Sequence, residues 1–254
     1  MPARRKEDKQ VTPEPSEPSA PKGSASLWER LDRPAPAPRS TLTPHRIAAA
    51  AVAIADSEGL DAVTMRRLAA DLGVAPMAAY RYVSGKDELL ELMVDHIYGE
   101  LALPGEAVDW REVMRGLALH TRAVLLGHPW VTRTAIFTLT PNQLAVPERA
   151  LSALDGLDLD ADTMMAVCRT VESYVQGAVG FEIGLTELLR EQGWSSTKEA
   201  RNGLAPRMTW LIGTGRYPTY ERYLREAGRK DDLEWQFETG LDSVLDGIAA
   251  RLGI

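Results

Sequence analysis

The chain has 254 residues, of which 44% are hydrophobic and 26% charged, a composition typical of a globular protein and not of a chain that is disordered throughout. Its 29 Lys and Arg residues against 36 Asp and Glu residues give a net charge of −7, which by itself argues against a nucleic-acid partner. The single cysteine, Cys168, excludes an internal disulfide and a cysteine-rich zinc site.

Residues 1–40 differ in composition from the rest of the chain. Eight of the 16 prolines fall there, among Ser, Ala and charged residues, which predicts a disordered tail. The basic cluster Arg4–Lys6 is either a flexible arm that reaches DNA or part of a solvated tail, and Ser26–Leu31 is either one docked helical turn or an apolar piece of linker. Neither a hydrophobic leader nor an apolar run of 18 residues occurs, so we expect a cytoplasmic protein that does not span a membrane.

Helical signals follow one another from Thr43 onward. Thr43 and Thr64 are good N-cap residues, and Gly59 and Gly73 are placed to end the helices that those caps begin. The signals predict four helices in this region: 44–58, one from behind Thr64 to Gly73, one from Pro76 to about Tyr82, and one from Lys86 that ends at Pro104-Gly105.

The second part of the chain predicts longer helices. The longest of them carries apolar residues around most of its circumference, so we expect it to be buried on more than one side. No stretch shows the period-two alternation of a half-buried strand, so the predicted fold class is all-α. The predicted helices lie at about 109–126, from His128 onward, after Pro141-Asn142 to near Gly156, at 162–190 and from Asp231-Asp232 to the end, with loops and short helices over 193–230.

Residues 64–82 have the spacing of a helix-turn-helix. Ala69 is small where the two helices would cross, Gly73 supplies the turn, and Val74 and Ala79 are apolar where the two helices would pack. Such units bind DNA in many proteins and are plain packing elements in others.

The residues around this unit resemble the tetracycline-repressor (TetR) family of bacterial transcription regulators. The resemblance is close over 43–101 and weaker over the rest, where it extends to the family's tetracycline-repressor-like C-terminal domain. It implies a three-helix helix-turn-helix DNA-binding domain at 41–101 and a larger helical ligand-binding and dimerisation domain at 102–254. The segments that carry it are Ile47–Gly59, Thr64–Ala69, Leu72–Val74, Tyr80–Val83 and Gly85–Leu90.

The resemblance also implies which residues contact DNA. Thr64 and Lys86 would bind phosphates, and Arg66 is a further candidate that reaches the groove. The family pattern puts Pro76, Met77 and Ala78 at base edges and Tyr80, Arg81 and Tyr82 at the groove edge and backbone. Since the first three lack hydrogen-bonding side chains, contact with thymine methyl groups is expected there, and guanine would be read by Arg81 or Arg66. The alternative for Tyr80 and Tyr82 is that they only pack the small domain.

For the second domain the resemblance implies a homodimer and a ligand pocket. The dimer would form through the final helix and the segment Tyr174–Leu189, unless these faces serve only the chain's own core. Met165, Cys168 and Glu172 share one helix face by their spacing. The family's layout puts a further group opposite them, in a mostly apolar pocket or an ordinary core. That group is Leu117, Thr121, Trp130, Ile136 and Phe137.

The stretch Thr134–Phe137 lacks the histidine with which the tetracycline repressor binds its magnesium–drug complex, so we expect no metal and no cofactor. HExxH and GxSxG motifs and a phosphate-binding glycine loop are missing, which argues against an enzyme. The function implied is a ligand-responsive homodimeric transcription regulator, a repressor released from a palindromic operator by a small-molecule effector. The alternative is a helical interaction module whose helix-turn-helix is only structural.

The position of the charges removes the objection to DNA. Residues 41–90 carry a net charge of −1, whereas residues 91–254 carry −8. The acidity therefore belongs to the predicted ligand-binding and dimerisation domain and not to the predicted DNA-binding domain.

Overall fold

A computed structural model describes residues 25–33, 42–105, 109–134 and 139–254. Within these ranges it contains helices and no strand, which confirms the all-α prediction. Residues 1–37 and 38–254 form separate compact units. In the first unit the short helix α1 (Leu27–Leu31) is closed by a capping box, in which Ser26 Oγ accepts from the Glu29 amide at 3.2 Å and Glu29 Oε2 accepts from the Ser26 amide at 2.7 Å. The Arg4–Lys6 cluster and most of the predicted tail lie outside the described residues.

The second unit consists of ten α-helices in its described residues, joined by short loops and two 3₁₀ turns at Leu60–Ala62 and Pro129–Arg133. The helices are α2 (Pro44–Glu58), α3 (Met65–Leu72), α4 (Pro76–Ala79), α5 (Lys86–Tyr98), α6 (Trp110–Gly127), α7 (Pro141–Leu154), α8 (Ala161–Gln192), α9 (Thr197–Gly213), α10 (Pro218–Glu226) and α11 (Leu233–Leu252).

The predicted N-caps are present. Thr43 Oγ1 accepts from the Arg46 amide at 3.2 Å, Thr64 Oγ1 from the Arg67 amide at 3.1 Å, and Asp109 Oδ2 from the Arg111 amide at 3.3 Å. These side chains satisfy amides that a helix leaves unpaired at its first turn. Local sequence therefore sets where α2, α3 and α6 begin.

Three elements differ from the prediction. Helix α5 ends at Tyr98, before Pro104, with Gly99 as its C-cap; Asn142 at the start of α7 lies against this glycine, where an added Cβ would be 3.0 Å from Asn142 Nδ2. His128 begins a 3₁₀ turn and not an α-helix. The segment 193–230, predicted as loops with short helices, contains the short α10 but also the 17-residue α9, which continues through Pro206.

Helix α8 is buried on one side only within the chain. Val167, Val171, Val175 and Val179 form one stripe, whereas Phe181 on the other side is 62% exposed. The expectation of burial on more than one side is therefore not met inside one copy. No helix among the described residues combines the length and the apolar character that a membrane span requires.

A polar node joins α6, α8 and α11 beside the valine stripe. The Arg122 guanidinium donates to both carboxylate oxygens of Glu182, each at 2.8 Å, and lies over the Phe237 ring with 4.8 Å from Cζ to the ring centroid. Tyr174 donates its hydroxyl proton to the Phe237 carbonyl at 2.7 Å. The Arg122 and Glu182 side chains are 17% and 12% exposed, so each charge depends on the other for compensation.

We expect the Glu182→Leu substitution to lower the free energy of unfolding by about 3 kcal/mol, because it leaves the Arg122 charge buried without a partner. The double variant Arg122→Leu with Glu182→Leu should lose less, since both charges are removed. Urea denaturation followed by circular dichroism measures both. Arg225→Ala, which breaks an exposed pair with Glu226, is the control and should change stability by less than about 0.5 kcal/mol. If Glu182→Leu lowered the free energy of unfolding as little as the control does, Arg122 would not depend on Glu182 for compensation of its charge.

Candidate DNA-binding and effector sites

Helices α3 and α4 form a compact helix-turn-helix. Gly73 adopts φ 66° in the left-handed region, and the Val74 amide donates back to the Ala69 carbonyl at 3.0 Å, so the chain reverses tightly between the two helices. Ala69 and Ala79 are 1% and 0% exposed, which lets the helices pack closely. The structure thus has the geometry that the glycine and alanine positions predict.

Most of the predicted DNA contacts lie at the surface of this unit. Met77 is 73% exposed and Tyr80 45% exposed, whereas Ala78 and Tyr82 are half-buried. The residues occupy the N-terminus of α3, all of α4, the turn after it and the first position of α5. The exposed members are Thr64, Arg66, Pro76, Met77, Tyr80, Arg81 and Lys86.

The cations of this surface are not neutralised by the chain. Arg66, Arg81 and Lys86 have no ion-pair partner among the residues that the structure describes. Arg67 differs, because its guanidinium donates to Glu58 at 2.7 Å and to Asp71 at 3.3 Å. Three positive side chains are therefore available to an external anion, and one adjacent arginine is committed to the fold.

Tyr82 has a structural role, which the sequence analysis gave only as an alternative to DNA contact. Its hydroxyl donates to the Leu42 carbonyl at 2.8 Å and so holds the segment that precedes α2. Tyr80 makes no such bond among the described residues and is the more accessible of the two rings. The packing alternative therefore applies to Tyr82 more than to Tyr80.

The predicted effector residues differ in how deeply they are buried. Leu117 and Trp130 are buried, Thr121 and Cys168 are half-buried, and Met165 and Glu172 are exposed. Met165 and Glu172 lie beside the valine stripe of α8, because the valines take the side that faces α6 and α11. Ile136 and Phe137 lie outside the described residues.

Two residues that the sequence analysis missed stand close to this group. Burial raises the pKa of Tyr98 above its usual value, with a further increase from the Glu172 carboxylate and an opposing effect of Gln143. Gln143 Oε1 is buried and has no hydrogen-bond partner in the described part of the chain. Burial also raises the pKa of the Cys168 thiol to about 11. Polar groups of α5, α7 and α8 therefore meet here, although no sequence signal links residues so far apart along the chain.

Asp56, near the end of α2, is a further residue that the sequence analysis missed. Its carboxylate accepts from Trp130 Nε1 at 2.8 Å and lies 2.9 Å from His128 Nδ1, while His128 Nε2 lies 3.4 Å from Glu100 Oε2. We call this cluster of Asp56, His128 and Trp130 the Asp56 joint. It attaches α2, which packs on the helix-turn-helix, to the chain that leaves α6.

Asp95 and Asn142 make a second connection between the two parts of the chain. The Asn142 amide donates to Asp95 Oδ1 at 2.8 Å, and Asn142 Nδ2 donates to Asp95 Oδ2 at 3.0 Å. These bonds tie the C-terminal half of α5 to the start of α7. Residues 102–254 are therefore connected to the helices around the helix-turn-helix by two sets of polar contacts.

Comparison with known proteins identifies both parts of the chain. Residues 47–93 match the family described as bacterial regulatory proteins, tetR family. Residues 103–252 match the family described as tetracyclin repressor-like, C-terminal domain. Together the matches cover the helix-turn-helix and nearly all of α6–α11.

Comparisons with individual proteins support the same family. The HTH-type transcriptional repressor DrrR1 of Streptomyces coeruleorubidus is 32% identical over 226 residues, which are 87% of this chain and 83% of that protein. ActR of Streptomyces coelicolor, solved in complex with actinorhodin, has a TM-score of 0.64 and 27% identity and covers 85% of this chain and 100% of its own. BioQ, solved with its double-stranded DNA operator, has a TM-score of 0.53 and 25% identity and covers 83% and 99%. The chain therefore belongs to the tetracycline-repressor (TetR) family of DNA-binding transcription regulators.

Proposed function

We propose that this protein represses transcription as a homodimer on a palindromic operator and that a small-molecule effector bound by residues 102–254 releases it. The observation that carries the proposal is the exposed helix-turn-helix with its three unpaired cations, Arg66, Arg81 and Lys86. Residues 41–101 would be the DNA-binding domain, and the protein would act in the cytoplasm.

On the operator, Thr64 and Lys86 would bind phosphates, and Arg66 would reach the groove as a second candidate for reading guanine. The hydroxyl of Thr64 accepts from the Arg67 amide and keeps its own proton for a phosphate oxygen. Arg81 would read guanine, and Tyr80 and Tyr82 would line the groove edge. Pro76, Met77 and Ala78 offer no hydrogen bonds, so α4 would recognise thymine methyl groups and the shape of the duplex.

The effector would be a mostly apolar molecule with a few polar groups. Leu117, Thr121, Trp130, Ile136, Phe137 and Met165 would supply most of its contact surface. Cys168 and Glu172 would supply polar contacts, to which we add Tyr98 and Gln143, since the Gln143 carbonyl oxygen lacks a partner. Actinorhodin, the ligand of ActR, is a suitable first probe.

Release requires that the effector prefer one arrangement of the two domains. The Asp56 joint is the natural point of transmission, because Trp130 belongs to the proposed effector contacts and is bonded to α2. A shift of the 3₁₀ turn at Pro129–Arg133 would therefore move α2 and, through it, the recognition helix in each copy. The distance between the two recognition helices must match one turn of DNA, so a small shift suffices.

The direct test is fluorescence anisotropy with labelled DNA taken from upstream of the protein's own gene. We expect saturable binding that unlabelled specific DNA competes away and unrelated DNA does not, and weaker binding when an effector is added. Equal competition by both DNAs would favour the structural helix-turn-helix.

Lys86→Ala should weaken DNA binding and reduce the slope of log K against log salt concentration by about 0.9, the value for one lost phosphate contact. Arg169→Ala is the control, an exposed cation on α8 that also lacks an ion-pair partner in the described residues. It should leave the slope unchanged. Equal slopes for Lys86→Ala and the unmodified protein would contradict the phosphate contact.

Asp56→Ala should reduce the effect of the effector on DNA binding while the protein still binds both. Coupling in such switches is about 5- to 150-fold, and we expect the ratio of DNA dissociation constants with and without actinorhodin to fall towards one. Asp71→Ala, which removes a carboxylate bonded only to Arg67 on the surface, is the control and should retain the full ratio. An unchanged ratio for Asp56→Ala would rule out transmission through the joint.

Cys168 should react slowly with iodoacetamide at pH 8. Its pKa of about 11 keeps the thiol protonated there, so we expect a rate on the order of 10²-fold below that of an unperturbed thiol, rising as the pH approaches 11. Mass spectrometry of the intact protein follows the reaction, with the urea-unfolded chain as control. Equally fast labelling of folded and unfolded protein at pH 8 would contradict the burial of this thiol.

A further inference from the structure

Three of the four histidines gather where α2 and α5 meet the chain that leaves α6. The rings of His45, at the start of α2, and His96, on α5, have centroids 4.8 Å apart and planes at 82°. His128 is near enough to His96 to influence its titration. Imidazole is the side chain that ordinarily changes its charge between pH 5 and 8, so the charge of this cluster depends on pH in that range.

Both ring nitrogens of His128 face carboxylates. Nδ1 lies 2.9 Å from Asp56 Oδ1 on α2, and Nε2 lies 3.4 Å from Glu100 Oε2, two residues after α5. A neutral imidazole carries one N–H and donates to one carboxylate only, which leaves the lone pair of its other nitrogen against a second acceptor. The imidazolium donates to both. The polar contacts of the Asp56 joint are therefore complete only when His128 is protonated.

A proton in this cluster is better placed on His128 than on His96. Burial lowers the pKa of His96, the His45 and His128 rings lower it further, and Glu100 and Asp95 oppose the decrease. His128 also stands as the C-cap of α6, at the helix end whose partial negative charge favours a cation.

Two further charges belong to this region. Arg133 at the end of the 3₁₀ turn lies 3.9 Å from Asp61, and both side chains are largely exposed, at 66% and 88%. The His128 side chain is 14% exposed and that of Asp56 31%. Solvent therefore screens the Arg133–Asp61 pair more strongly than it screens the contact of His128 with Asp56.

We infer that His128 makes the response to the effector depend on pH, because its protonated ring binds the 3₁₀ turn to α2 and to the end of α5 at once. The inference rests on the proposed release by an effector through the Asp56 joint. Trp130, a proposed effector contact, donates to the same Asp56 carboxylate at 2.8 Å. With the imidazolium in place, a shift of the turn displaces α2 and the end of α5 together. With the neutral ring, the contact with Glu100 is lost and less of the shift reaches the recognition helix.

The first test measures the ratio of DNA dissociation constants with and without actinorhodin at pH 5.5 and at pH 8, by fluorescence anisotropy. His128→Asn keeps a donor for Asp56 but does not titrate, so it supplies the baseline, which includes any titration of actinorhodin itself. Relative to this baseline, the ratio of the unmodified protein should be about fivefold larger at pH 5.5 than at pH 8, the effect of one partly exposed ion pair. His120→Asn, at an exposed histidine of α6, is the matched control and should behave as the unmodified protein does.

Glu100→Gln tests the second carboxylate. The amide of glutamine donates to the unprotonated Nε2 of a neutral imidazole and accepts from an imidazolium, so it satisfies His128 in both charge states. We expect the ratio for Glu100→Gln at pH 8 to remain close to its value at pH 5.5. A fall as large as that of the unmodified protein would show that Glu100 does not take part.

Urea unfolding followed by circular dichroism tests the protonation without DNA or effector. A charged imidazole held by carboxylates stabilises the fold at low pH, and this stabilisation is lost as the pH rises. His128→Asn should therefore raise the equilibrium constant of unfolding, relative to the unmodified protein, about fivefold more at pH 5.5 than at pH 8.

The possible failures are distinguishable. If the unmodified protein and His128→Asn showed the same dependence of the ratio on pH, the inference would be overturned and repression controlled by an effector would stand. If the unmodified protein bound no operator DNA, or did not respond to actinorhodin at either pH, the proposed function with this effector would fail instead. The unfolding comparison would then decide the inference, and an equal effect of His128→Asn at both pH values would overturn it.

Discussion

The Asp56 carboxylate joins the helix-turn-helix to the larger domain. It accepts from Trp130 and pairs with His128, and both residues belong to the 3₁₀ turn region that follows α6. Together with the Asp95–Asn142 contact between α5 and α7, this joint adds polar contacts to the packing between the two parts of the chain. Hydrogen bonds require a defined geometry, so the joint fixes the position of the 3₁₀ turn relative to α2.

The distribution of charge varies along the chain. Around the helix-turn-helix, Arg67 is neutralised by Glu58 and Asp71 while Arg66 remains free. Residues 193–230 carry a net charge of +5 within a domain that is acidic overall. Net charge over the whole chain therefore carries little information about partners, since screened charges act over about 10 Å.

Helix α8 is unequally buried on its two sides. Its valine stripe supports α6 and α11, and Arg122 and Glu182 add a polar contact between α6 and α8 close to it. On the opposite side, Phe181 is 62% exposed, and an added Cβ at Gly177, Gly180 or Gly184 would meet nothing within 4 Å. Within the described residues, this 32-residue helix therefore packs closely along one side only.

Sequence by itself determined the elements whose signals are local. The caps at Thr43 and Thr64 and the left-handed Gly73 depend on side chains within a few residues, so α2, α3 and the turn of the helix-turn-helix were predictable to within a residue or two. The family resemblance was carried by the same segment. The prediction of loops and short helices over 193–230 missed the length of α9, because Gly203 and Pro206 weaken a helix locally; the cap at Ser196 starts this helix, and Trp194 packs on Gly203.

Tertiary structure alone decided which polar groups meet. Asp56 and Trp130 are 74 residues apart in the sequence, and Arg122 and Glu182 are 60 apart. Local spacing places Asp71 four residues after Arg67, but the pairing of Arg67 with Glu58 of α2 exists only in the fold, and Arg66 stays exposed. Capping and turn signals act over three or four residues, whereas hydrogen bonds between distant side chains exist only after the helices have packed, and for that reason the helix-turn-helix could be found in the sequence and the Asp56 joint could not.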